Sequence, residues 1–109
     1  MKFSKLGREH IKATGAVITI ENEGSDAWNG SANLAAEIAN DADFQKAVIE
    51  EIKAVRQNPH EVLLRAGTPT QYDQVIENKF TGRPYLDSGV KHAAFIAVLN
   101  EFNRQNKKI

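Results

Sequence analysis

A chain of 109 residues, 41% hydrophobic and 26% charged, suits one soluble domain with a core of its own. It has no cysteine, which excludes disulfides, thiolate metal sites and thiol nucleophiles. Its net charge is zero, yet residues 1–20 carry +3, residues 21–51 carry −7 and residues 52–109 carry +4.

That layout has two readings: acidic and basic surfaces that complement each other within the fold or across a dimer, or an acidic face for a basic partner. Strong nucleic-acid binding by the whole domain is not favoured, because counterion release needs a concentrated basic face. The longest apolar run, residues 93–99, is too short to span a bilayer. No apolar segment follows Met1-Lys2, so a cytoplasmic location is expected and Asn29-Gly30-Ser31 reads as a turn.

In chain order, residues 5–14 read as a short helix after Ser4 that ends at Gly15. Val17, Ile18, Thr19 and Ile20 then predict a strand over 16–20, rich in β-branched residues. A lone strand needs a partner, and the candidates are residues 2–6 as a hairpin arm, residues 61–65, or a second copy. Residues 21–30 read as an acidic loop holding the only tryptophan, Trp28. Ser31 suits the cap of a helix carrying Leu34, Ala35 and Ile38, which Asn40 and Asp41 interrupt.

Asp41 or Asp43 starts the clearest helix, with Phe44, Val48, Ile52 and Val55 on one stripe and Ile49 widening it. Asn58-Pro59-His60-Glu61 and Thr68-Pro69-Thr70-Gln71 carry one helix-start signal twice. Each has a capping oxygen, a proline at the first helical position and a Glu or Gln at the third. Between them a short segment buries Val62, Leu63 and Leu64, and Gly67 suits its left-handed end. A helix over 69–80 follows, with Tyr72, Val75, Ile76 and Phe80 on one side, and then a loop at 81–84. Asp87 or Ser88 caps a last helix over 89–106. Residues 90–102 of that helix are apolar on most sides, as in a helix surrounded by others. Ala93, Ala94 and Ala97 give it a face for close approach, and Arg104, Lys107 and Lys108 suit its C-terminal dipole. The expected fold is thus α+β and mostly α: about five helices round a central C-terminal helix, with one or two short N-terminal strands.

Candidate chemistry is sparse. His10, His60 and His92 fall in no metal-ligand spacing, and neither a phosphate-cradling loop nor a nucleophile elbow is present, so no metal or cofactor is expected. Glu61 is accounted for by capping. The leading expectation is a non-catalytic protein-binding module of inhibitor, immunity or adaptor type, such as phages and mobile elements encode. It docks a basic partner through residues 21–51, with Trp28 as anchor and Glu21, Glu23, Asp26, Asp41 and Asp43 around it. Tyr85, after Arg83-Pro84, offers a weaker anchor of the same kind. One alternative is a small metal-independent nuclease using His60, Arg65, Lys79 and His92 as base, acid and phosphate-stabilising cations. Another is a homo-oligomeric structural protein paired through the 16–20 strand or the alanine face.

Overall fold

The computed structural model describes residues 5–13, 26–55 and 71–106, and every regular element among them is a helix. These are α1 (Arg8–Ala13), α2 (Asp26–Ala39), α3 (Ala42–Val55), α4 (Gln71–Phe80) and α5 (Ser88–Asn106). The 16–20 strand, the helix starts at Asn58 and Thr68, Gly67, and the cations Lys107 and Lys108 lie outside the described residues. Among the described residues the fold is all-α, and the expected strand over 16–20 is not among them.

The proposed hairpin arm over 2–6 is described only at Lys5 and Leu6, which are irregular. The Leu6 N–H donates to Asn40 Oδ1 at 2.6 Å, and the Leu6 carbonyl accepts from Asn40 Nδ2 at 2.7 Å. One side-chain amide takes both backbone groups that a strand partner would have used. α1 begins at Arg8 rather than Lys5, with the Gly7 carbonyl accepting from the Ile11 N–H at 3.0 Å.

The largest correction concerns residues 26–30, expected in a loop ahead of a Ser31 cap. They form the start of α2, so Asp26, Trp28 and Gly30 are helical. An acidic residue in the first turn favours the helix dipole. The apolar stripe of Ala32, Leu34, Ala35, Ile38 and Ala39, all buried, anchors the rest. Tertiary packing here outweighs the roughly 1 kcal/mol that a helical glycine costs.

α2 and α3 meet at a tight corner. The Asp41 N–H bonds the Ile38 carbonyl at 3.0 Å, closing the first helix with a short turn. Asp41, rather than Asp43, caps α3: its Oδ1 accepts from the Phe44 N–H at 2.9 Å. Asp87, rather than Ser88, caps α5 in the same way through the Val90 N–H at 2.8 Å. Asp87→Ala should therefore lower stability by about 1 kcal/mol in urea unfolding. An unchanged midpoint would show that the cap contributes nothing measurable.

The stripes of α3 and α4 pack as their spacing predicts. Phe44, Val48 and Ile52 are buried on α3, and Tyr72, Ile76 and Phe80 on α4. α5 packs against α1, α2 and α3, most extensively against α2, and reaches α4 through the Phe95 and Tyr72 rings. The expected central C-terminal helix is what forms. Ala93, Ala94 and Ala97 have no exposed surface, nor have Ala32, Ala35 and Ala39 of α2. Small side chains on both helices let their axes approach closely.

Candidate interaction surface

The connection from α4 to α5 begins with a left-handed glycine, Gly82 at φ 87°, which suits a helix end. The Arg83 N–H closes that turn on the Phe80 carbonyl at 3.0 Å. A second turn follows, in which the Leu86 N–H bonds the Arg83 carbonyl at 3.3 Å. Pro84 holds its second position and Tyr85 its third, at φ 69°. That third position normally goes to glycine or asparagine, because a Cβ there costs roughly 1–2 kcal/mol. Tyr85 nonetheless occupies it, 46% exposed, the large hydrophobic side chain most open to solvent among the described residues.

Gly30 explains how the ring is seated. A Cβ built at Gly30 would clash with one edge of the Tyr85 ring, 2.9 Å from Cζ and closer still to Cδ2 and Cε2. The glycine expected to mark a turn thus gives an aromatic side chain room against a helix. Two turns further along the same face of α2, Glu37 accepts from both Arg83 nitrogens: Nη1 to Oε1 and Nη2 to Oε2, each 2.8 Å. The parallel pair of bonds aligns the 83–85 turn along α2, which matters more than its energy at a half-exposed position. The Arg83 hydrogen bond, more than its charge, holds the Glu37 carboxyl below the usual range. Asn33, exposed, lies on α2 between the Tyr85 and Arg83 contacts.

The acids of α3 are answered from the basic half of the chain. Lys79 Nζ donates to Asp41 Oδ2 at 2.9 Å, to Asp41 Oδ1 at 3.2 Å and to Asp43 Oδ2 at 2.6 Å. Its hydrogen bond lowers the Asp43 pKa, and the two carboxylates raise that of Lys79. The sequence-level charge separation is thus met in part within the fold, through Lys79 and Arg83.

The expected anchor residues are scattered in their fate. Asp26 and Trp28 stand in the first turn of α2, and Glu21 and Glu23 lie outside the described residues. Asp41 is a helix cap and ion-pair partner, and Asp43 a second partner for the same lysine. Of the nuclease candidates, Lys79 is committed to those acids, and His92 is half-buried on α5. His60 and Arg65 lie outside the described residues.

A second polar cluster lies along α5. Glu101 is 2% exposed; Arg104 Nε donates to its Oε1 at 2.9 Å, and Arg104 Nη2 and Gln105 Nε2 donate to its Oε2. These bonds bring its carboxyl down to about 2, Arg104 contributing most and His10 a smaller Coulombic pull. Sequence reasoning missed Glu101. Its spacing to Arg104 and Gln105 at i+3 and i+4 was the available signal. Among the described residues, no group of three His, Asp or Glu side chains forms a metal site, and no helix is long and apolar enough to cross a membrane. Compared with known proteins, the chain matches no family model, no curated protein and no solved structure.

Proposed function

We propose that this is a non-catalytic protein-binding module that docks a basic, cytoplasmic partner through the outer face of α2 and the 83–85 turn. The observation that carries the reading is Tyr85. An aromatic side chain held in a left-handed conformation, seated on a helical glycine and braced by Arg83–Glu37, is a pre-ordered anchor. Pre-ordering lowers the conformational entropy lost on binding. Arg83 offsets Glu37, whereas Asp41 and Asp43 share the single Lys79 and keep one net negative charge for a basic partner. Inhibitor, immunity and adaptor roles all suit such a face. Trp28, on the same helix, is the second candidate anchor.

Tyr85→Gly separates binding from folding. Glycine relieves the left-handed strain while removing the ring, so stability should stay within about 1 kcal/mol of the parent. Gly30→Ala should behave alike: it gains helix propensity and drives the ring off its seat. Capture of the partner from the native host should be lost in both variants, weaken with added salt, and persist in Lys53→Ala. Trp28→Ala, assayed beside them, measures the second anchor. Undiminished capture by well-folded Tyr85→Gly and Gly30→Ala would refute the assignment of this face.

A further inference from the structure

Asn29-Gly30 is the only Asn-Gly pair in the chain, and it stands where the first turn of α2 closes. Arg8 Nη2 of α1 donates to Asn29 Oδ1 at 2.5 Å. That bond falls on the carboxamide oxygen and draws electron density away from Cγ beside it. The next residue, Gly30, has no Cβ, so nothing on its own side chain keeps its backbone nitrogen from Cγ. An electrophilic carbon, a cation on its oxygen and an unshielded nitrogen are the parts of an intramolecular acyl transfer.

Helical geometry withholds the last requirement. Inside α2 the Gly30 N–H points along the axis into the backbone ladder, away from the carboxamide. The turn that keeps it there is weak on two counts: helices fray at their ends, and glycine is a poor helix former. Its cover is the Tyr85 ring, so close that a Cβ at Gly30 would clash with it. Tyr85 is itself held in the left-handed region, at φ 69°.

We propose that Asn29 is a self-modification site, deamidating through the Gly30 nitrogen at a rate set by the seating of Tyr85 on Gly30. When the turn opens, the Gly30 nitrogen gives its proton to hydroxide or water and bonds to Asn29 Cγ. The Cγ–Nδ2 bond breaks, ammonia leaves with a proton from water, and a cyclic succinimide remains. Water then opens the ring at either carbonyl, so one water is consumed for one ammonia released. The product at position 29 is aspartate or isoaspartate. Aspartate suits the first turn of a helix and gives Arg8 an ionic partner. Isoaspartate adds a methylene to the backbone beside Gly30 and so unseats Tyr85. The inference does not depend on any partner at the Tyr85 face.

The full chain, held folded at mildly basic pH and mapped by peptide mass spectrometry, should gain the Asn-to-Asp mass shift at position 29. The other asparagines serve as internal controls. Isoaspartyl methyltransferase should label the same peptide. Tyr85→Gly should speed the reaction roughly 10-fold in the folded chain, because the turn then opens more readily. In urea, where no turn is left to open, Tyr85→Gly and the parent should react at one rate, while Gly30→Ala reacts far more slowly. If Tyr85→Gly does not fold, Tyr85→Asn replaces it, since asparagine tolerates the left-handed region. No modification of the folded parent, equal rates for the folded parent and the folded Tyr85 variant, or an undiminished rate for Gly30→Ala in urea would each overturn the proposal.

Discussion

Phe95→Ala should cost about 3–5 kcal/mol, as large a loss as any expected from a single substitution in the described core. Phe95 is 1% exposed on α5, and its ring lies 5.0 Å from that of Tyr72 on α4. Tyr72 in turn meets Phe44 of α3 edge-on, at 5.9 Å and 83°. Three rings from three helices therefore form one contact chain, and removing Phe95 leaves a cavity beside Tyr72. Part of the loss is apolar burial, and roughly 0.5–1.5 kcal/mol is the ring pairing itself. Domains of this size have only about 5–15 kcal/mol in total, so the loss is a large share of the whole stability. Urea unfolding measures the shift directly. Tyr72→Ala combined with Phe95→Ala should fall short of the sum of the two, because they share a contact. Full additivity, or a Phe95→Ala loss below about 1 kcal/mol, would mean that the rings do not hold α4 to α5.

The second large effect is a dependence on acid centred on Glu101. Its folded-state pKa, about 2, lies below the ordinary value of 4.5. A depressed carboxyl contributes stability that is fully present above pH 4.5 and is lost as pH falls through the folded value. Across that interval the unfolded chain binds more protons than the folded one. A shift of this size corresponds to about 3 kcal/mol, lost between roughly pH 5 and pH 2. Glu37 and Asp43, both lowered by their cation partners, add in the same direction. Glu101→Gln should flatten the profile of Tm against pH in that window. Arg104→Met should be the more damaging change at pH 7, since it leaves a buried carboxylate with its arginine partner removed. Adding Glu101→Leu to Arg104→Met should recover much of that loss. A Glu101→Gln profile as steep as the parent's would transfer the acid sensitivity to other groups.

Sequence reading reached furthest where one helix face decides the outcome. The stripes of α3 and α4 bury Phe44, Val48, Ile52, Tyr72, Ile76 and Phe80 and half-bury Ile49 and Val75, and the apolar girth and alanines of α5 place it at the centre. Asp41 and Asp87 as caps are legible to within two residues, because capping depends on neighbours only a few positions away. Those features are set by local backbone geometry and by the partition of apolar side chains away from water.

What the sequence could not determine depended on partners distant along the chain. The start of α2 at Asp26, against a glycine and a polar run that locally favour a loop, goes with the seat of Tyr85 on Gly30. Asn40, which reads as a helix breaker, becomes the clamp for Leu6, which lies 34 positions away. Acids that look like a free surface find Lys79 and Arg83 across the fold. The candidate surface therefore shifted from Trp28 in a loop to Tyr85 over a helix. A one-dimensional pattern records which side chains prefer burial, whereas the identity of each partner emerges only once tertiary packing brings distant residues within hydrogen-bonding reach.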